Sequence, residues 1–343
     1  MKRLIPLVAA GALLAAAPSA QAAVDLAGGS TQLKLNRGTA KALGSLGVAV
    51  APTGKASADD ARIRFPISGG AIDPASAAGR INHRGGLRFS AGRKSITLKS
   101  YRVKVGAKIT LSALVGGSRV RILDLSGTPE VTRSGFGTNV SGLTAKLNNA
   151  AAKALNATFG VHAFSKGIPL GKVRVKALPS ETELLARGAT TLALDSGALA
   201  AIVGLGVTPG IVGPATLDGT TALFPITGGR VALNLGAAEV THAGGISLTK
   251  GSTVVNLTDF DIRVGGGAVQ LFAAVNGGAA KVAILDVDLT GVTPAVSGRD
   301  VTLAGATARL TQGAADALNA AFGTTAFTAG LVLGQATVSA TGK

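Results

Sequence analysis

Cysteine is absent from all 343 residues, which rules out disulfide bridges, thiolate metal ligands, cysteine nucleophiles and thiol redox chemistry. A chain of this length closes cores large enough to hold without disulfides, even outside the cell. Tryptophan is also absent and Tyr101 is the single tyrosine, so the cores must be built from Val, Leu, Ile, Ala and ten Phe. Only three histidines occur, His83, His162 and His242. Without cysteine they cannot complete a closed zinc site of ordinary spacing. Two catalytic signatures are missing as well. No Gly-x-Ser-x-Gly elbow is present, and the nearest approach to a phosphate-binding loop, Gly86 to Gly92 followed by Arg93-Lys94-Ser95, has the wrong spacing and order. The chain is expected not to be an enzyme.

Long apolar runs are confined to the N-terminus. Lys2 and Arg3 precede an apolar stretch over 4–17, and Ala20-Gln21-Ala22 reads as a small-x-small cleavage signal. Residues 1–22 are expected to be a secretory signal peptide. Pro18 and Ser19 close the run short of the roughly 20 residues that a spanning helix needs. The protein is therefore expected to be secreted or cell-envelope associated, with no transmembrane segment in the mature chain.

What the chain has in plenty is Gly, Ala, Val and Thr, a composition that points to β structure. It also has itself twice. Ile81-Asn82-His83-Arg84-Gly85-Gly86 returns 159 residues later as Val240-Thr241-His242-Ala243-Gly244-Gly245. In the same register, Phe65-Pro66-Ile67-Ser68-Gly69-Gly70 returns as Phe224-Pro225-Ile226-Thr227-Gly228-Gly229. Entering strands at 31–35 and 190–194 lead into short helices capped by Asn36 and Asp195. Short alternating runs between glycine turns follow, which predict antiparallel hairpins. Each copy then carries one late helix. Leu147, Ala151, Leu155 and Phe159 share a face that ends at Gly160; Thr311 caps the other, with Ala314, Ala315, Leu318 and Phe322 ending at Gly323. A period near 160 is a domain duplication, too long for a solenoid. The expected fold is mainly β: two tandem antiparallel β-sandwich or barrel-like domains, each with one or two short helices, over 23–178 and 189–343 with a linker at 179–188.

Charge is divided unevenly between the copies. Residues 23–178 hold 24 Lys and Arg against 6 Asp and Glu, a net of +18, whereas 179–343 hold 8 against 11, a net of −3. The fold therefore does not require the positive charge, which speaks instead about partners or location. Arg80, Arg84, Arg88, Arg93, Lys94, Lys99, Arg102 and Lys104 surround His83 in sequence. Such a region attracts anionic ligands, acidic wall polymers or phospholipid heads, or it is a solubilising surface. Nucleic acid is not expected as a partner, because Phe89 and Tyr101 are the only aromatics near it that could stack on bases.

The two His-x-Gly-Gly segments admit two readings. Each histidine can ligate a metal or orient another ligand, or it can sit at a strand end with its ring bonded to a backbone carbonyl. His162, matched by Thr325 in the second copy, is expected to be solvated or capping. Asp259 with Asp261, and Asp286 with Asp288, alternate and are expected to lie on solvated strand faces.

Taken in order, the entering strand and helix, Phe-Pro-Ile-(Ser/Thr)-Gly-Gly, (Ile/Val)-x-His-x-Gly-Gly and Ala-x-Ala-Leu-Asn-Ala before Phe-Gly resemble an HtaA-type domain. This is the repeated extracellular module of actinobacterial heme-uptake and cell-surface proteins, and the likeness covers nearly the whole mature chain. It implies a β-rich sandwich and, in characterised members, heme bound through a tyrosine supported by a histidine. Here the corresponding segments, 34–43 and 192–202, contain no aromatic residue, and Tyr101 is replaced by Phe260 in the second copy. What the resemblance implies is a ligand-binding protein with heme as the candidate ligand, His83, His242 and Tyr101 as candidate contacts, and Arg80, Arg84 and Arg88 as partners for the propionates. The other expectation is a non-catalytic envelope protein held to anionic wall polymers by its basic domain.

Overall fold

Alternation shapes the strands. Over Pro169–Pro179, Val173, Val175 and Ala177 are buried while Lys172, Arg174 and Lys176 are exposed, the period of two that a half-buried strand requires. The structure is a computed structural model that describes residues 23–343 except 61 and 235. The expected signal peptide, 1–22, lies outside the described residues. In chain order the first copy comprises β1 (Val24–Leu35), α1 (Arg37–Ser45), β2 (Ala49–Thr53), β3 (Ser57–Asp59), β4 (Arg62–Ile72), β5 (Gly79–His83), β6 (Gly86–Ala91), β7 (Lys94–Val105), β8 (Ile109–Val115), β9 (Ser118–Ser126), β10 (Glu130–Ser134), β11 (Gly137–Leu147), α2 (Asn149–Phe159) and β12 (Pro169–Pro179).

Pairing runs β7–β5–β4–β1–β12–β11–β9–β8, and β8 returns to β7, so eight strands close into an antiparallel barrel. Closure removes the free edges that an open sheet must protect. β6 continues the position of β5 along the same edge of β7, and β2, β3 and β10 add short outer pairings.

The second copy repeats every element: β13 (Glu181–Leu194), α3 (Ser196–Gly204), β14 (Thr208–Val212), β15 (Thr216–Asp218), β16 (Thr221–Ala232), β17 (Ala238–His242), β18 (Gly245–Lys250), β19 (Thr253–Gly265), β20 (Ala268–Val275), β21 (Lys281–Asp288), β22 (Ala295–Ser297), β23 (Asp300–Leu310), α4 (Gln312–Phe322) and β24 (Val332–Gly342). Its ring closes in the same way, β19 to β20. The mainly β, tandem barrel-like architecture is thus as expected, with two helices in each copy. One stretch differs. Residues 181–188 of the expected linker belong to β13, because buried Thr182 and Leu184 alternate with exposed Glu181 and Glu183 and the backbone already pairs with β16.

Three of the four helix caps, Asn36, Asp195 and Thr311, fall where the sequence puts them; the fourth is Asn148, because Leu147, expected on the helix face, is instead the last residue of β11. Asn36, Asn148, Asp195 and Thr311 each accept a hydrogen bond from a backbone N–H two or three residues on. Gly160 and Gly323 end α2 and α4 in the left-handed conformation. No described helix is long and apolar enough to cross a membrane.

The two cores differ more than the two backbones. The first barrel has one continuous cluster of buried residues running from Leu26 to Ala177. In the second the cluster is broken in two, with Leu184, Ile226, Val240 and Ala340 separated from the helix-capped end. Substitution explains the break. Leu143 and Val173 face one another on β11 and β12, and the matching partners on β23 and β24 are Ala306 and Ala336. Phe89 on β6 likewise becomes Leu248 on β18.

A loop adds to the difference. After β4, Asp73 accepts bonds from the N–H groups of Ala75 and Ser76, turning Pro74 and Ala77 into the barrel end, where both are buried. In the second copy Asn234, Gly236 and Ala237 of the corresponding loop are exposed.

Two repeated glycines should be irreplaceable. Gly85 and Gly244 have φ of +81° and +84°, and a Cβ on either would run into backbone, of Thr53 and Ala56 or of Val212 and Ala215. Gly85→Ala and Gly244→Ala are each expected to cost about 1–3 kcal/mol in denaturant titrations. Gly44→Ala, on α1 with open space around it, should instead stabilise by up to about 1 kcal/mol. Equal effects at all three positions would contradict this account.

Candidate ligand-binding site

Each repeated histidine ends a strand and points into its barrel. His83 closes β5 and His242 closes β17, at the place where β7 or β19 passes from one edge partner to the next. Ser100 and Asp259, with φ of +49° and +53°, form the irregularity opposite. Both histidines are 4% exposed. Thr31 Oγ1 lies 2.7 Å from His83 Nε2, and His83 Nδ1 lies 3.1 Å from the Tyr101 carbonyl oxygen. Thr190, His242 and Phe260 repeat both distances, 2.7 and 3.1 Å.

A carbonyl only accepts, so Nδ1 carries the proton and Nε2 accepts from the threonine hydroxyl. Both ring nitrogens are then engaged in the neutral form. Burial lowers the His83 pKa to about 4 against the partial offset of the Tyr101 carbonyl. It lowers that of His242 too, with the Phe260 carbonyl and Asp261 opposing.

The other candidates divide between inside and outside. Tyr101 is buried, its ring edge-on to Phe65 at 4.9 Å, and burial pushes its hydroxyl pKa upward. Phe224 and Phe260 keep the same edge contact at 5.0 Å. Arg80, Arg84 and Arg88 are exposed on the outer surface and do not converge with His83. His162 is exposed, as expected.

One carboxylate expectation fails. Asp259 and Asp261 do not share a solvated face: Asp259 occupies the irregularity, which turns Asp261 to 3% exposure, paired with Lys281 at 2.7 Å and Arg263 at 2.9 Å. Asp286 and Asp288 are exposed. Among the described residues no group of three or more His, Asp or Glu is placed to hold a metal ion.

The interior cavities around the two histidines separate the barrels; another cavity of the first barrel, about 900 Å³ beside Lys108, Arg121 and Asp124, is a polar outer cleft. Around His83 the free volume is about 150 Å³, bounded by Thr31, Phe65, Tyr101, Ala151 and Leu155. Around His242 it is about 890 Å³, in the upper range of small-molecule sites. This cavity runs from α3 and α4 past Thr190 and His242 to Val240, Val301 and Leu303, and its wall is overwhelmingly Leu, Val, Ile, Ala and Phe. No Lys or Arg is among the residues lining it. Leu217 and Val282 line it and are half exposed, marking where it meets the surface.

Sequence reasoning missed Thr31 and Thr190, and it missed the cavity. The signal was available in the copy-to-copy exchange of Leu143 and Val173 for Ala306 and Ala336.

No protein-family model matches the chain, and no curated protein matches it. Among solved structures it is similar to the C-terminal domain of HtaA from Corynebacterium glutamicum, at 15% identity and a TM-score of 0.37, over 45% of this chain and 98% of that one. It is also similar to the domain-swapped dimer of a histidine-to-alanine variant of that domain, at 17% identity and a TM-score of 0.32, over 41% of this chain and 89% of that one.

These residues do not fit iron ligation as they stand. The only lone pair free of the ring proton, on Nε2, is occupied by the threonine hydroxyl in both barrels, and the second barrel has no tyrosine.

The buried imidazoles give stability a pH dependence of definite sign. Between about pH 6.5 and 4 the unfolded chain takes up a proton that folded His83 refuses. Its contribution is complete above pH 6.5 and is lost as the pH falls through that window, on the order of 3 kcal/mol in all. Urea midpoints followed from pH 7 to 4 should fall, and His83→Gln should make the fall shallower. A slope unchanged by the substitution would show that His83 is not the neutral, buried group described.

Proposed function

We propose that the chain is a non-catalytic, exported binding protein that carries an uncharged apolar small molecule inside its second barrel. The observation that carries this reading is the apolar cavity of about 890 Å³ around His242. A soluble domain leaves few voids larger than a water molecule. The first barrel, with the same strands and helices, fills the corresponding space. Leaving apolar wall unfilled forfeits dispersion contacts, and an occupant restores them.

The wall also selects. Heme, which the sequence resemblance names, carries two propionates, and nothing basic lines the cavity to receive them. His242 is committed to Thr190 and Phe260 rather than to an iron. The Thr190 oxygen, whose proton is committed to His242, keeps lone pairs that can accept from one hydroxyl of a largely hydrocarbon ligand. Export rests on residues 1–22 and their cleavage signal.

The test uses the neutral fluorescent probe N-phenyl-1-naphthylamine with the wild type and with Ala306→Leu/Ala336→Val, which restores the residues of the first barrel. The wild type is expected to bind saturably. The double variant should bind at least tenfold more weakly while gaining stability, since five buried carbons are worth up to about 4 kcal/mol. Saturable binding that the variant leaves intact would place the probe elsewhere, and no binding by the wild type would remove the proposal. A hemin titration with a Soret band lost in His242→Ala would show ligated heme instead.

A further inference from the structure

Independently of that cavity, we infer that the outer face of the first barrel is a binding surface for a flexible, linear, phosphate-bearing polymer. The duplication provides the comparison. Arg62, Lys34 and Lys172 stand directly opposite one another across β4, β1 and β12, and all three are exposed. Their counterparts across β16, β13 and β24 are Thr221, Ala193 and Gln335. Lys172 Nζ and Gln335 Nε2 even contact matching hydroxyls, those of Thr144 and Thr307, so the correspondence holds at the level of side chains. The next row outward repeats the contrast, with Arg64 and Arg174 flanking Gln32 where Leu223 and Thr337 flank Thr191.

A second cluster lies further round the ring. Arg80 pairs with Lys104 across β5 and β7, and Arg102 and Arg119 lie beside them. The same four positions in the second barrel are Glu239, Arg263, Asp261 and Lys281, which neutralise one another in a chain of ion pairs. Among the described residues of the first barrel no carboxylate pairs with them. Partial desolvation, then repulsion by Arg102, holds the Arg119 pKa below its usual value. Arg121 with Asp124 is the only ion pair of that barrel among the described residues.

Like charges directly opposite on neighbouring strands destabilise a sheet, and the second barrel shows that this fold does without them. A surface that keeps such pairs is matched to an anion. Its shape chooses among anions. The cations occupy β9, β7, β5, β4, β1 and β12, six of the eight strands of a closed ring. A flat bilayer touches one side of such a cylinder, whereas a flexible chain follows it round. The aromatic rings Phe65, Phe89 and Tyr101 are buried in the barrel, so they offer this surface no platform for bases.

The experiment measures binding of the full chain to inorganic polyphosphate over a range of salt concentrations. It compares the wild type, Lys34→Ala/Arg62→Thr/Lys172→Gln, and the reciprocal Ala193→Lys/Thr221→Arg/Gln335→Lys. The first variant is expected to bind at least tenfold more weakly at low salt, and its plot of log affinity against log salt should be shallower by roughly 0.7–0.9 per lost contact. The reciprocal variant should bind more tightly than the wild type, which keeps the inference testable if the first variant does not fold. Failure of the wild type to bind polyphosphate, or equal binding by all three proteins, would overturn it. Binding to phosphatidylglycerol vesicles without binding to polyphosphate would overturn it in favour of a membrane, and much tighter binding to single-stranded DNA of equal phosphate number in favour of a nucleic acid.

Discussion

A neutral imidazole held between a hydroxyl and a carbonyl is the constraint on which both barrels depend. His83 belongs to β5, its acceptor carbonyl to the neighbouring β7, and its threonine donor to β1, which lies beyond β4 in the ring. The bond to Thr31 therefore crosses the barrel interior and fixes strands that do not pair. Neither partner can be removed without leaving a buried polar group unsatisfied, at a cost of about 1–3 kcal/mol. Proton transfer and metal ligation would each need a nitrogen that this arrangement has already committed. The same residues that draw attention in the sequence as chemistry are, in the barrel, a neutral staple between strands.

With the scaffold held in that way, side-chain volume inside it is free to change. The exchange of Leu143 and Val173 for Ala306 and Ala336 removes apolar atoms from two facing strands without altering a ladder hydrogen bond, since the register of β11 with β12 is kept by β23 with β24. The buried loop of the first barrel, built on the turn at Asp73, has no equally buried counterpart in the second. A filled barrel and a hollow one thus differ by a few positions. The hollow one is the acidic copy, so the ligand site does not coincide with the basic region that the sequence brings forward.

Much of the architecture was legible before any coordinates. Period-two alternation, three of the four helix caps and the repeat register each rest on local chemistry that the chain states directly. The stretch 179–188 was not legible as strand, because its glutamates and Pro179 resemble a linker while its alternation extends over only Thr182 and Leu184. Asp261 was misjudged for a related reason: one left-handed residue, Asp259, breaks the alternation that would have put both carboxylates in solvent. The site was the least legible part. Nothing in the local sequence around His83 reveals that Thr31, 52 residues away, occupies its second nitrogen, and a cavity is a property of facing strands rather than of any one stretch.

Charge and cavity are therefore separable properties of one duplicated design. The interior of a closed barrel tolerates no unpaired charge, since an ion buried there loses its hydration without compensation. The surplus cations of the first copy appear on the outer surface, and on the strands alternation delivers them there. Lys172, Arg174 and Lys176 project outward because Val173, Val175 and Ala177 project inward. The field that results costs the second barrel nothing and leaves its cavity wall free of lysine and arginine. A chain with one barrel can be optimised for an apolar ligand or for an anionic surface, but a charged wall spoils the first and an unpaired outer face is wasted on the second. Duplication removes that conflict by giving each requirement its own copy of the same histidine-stapled frame.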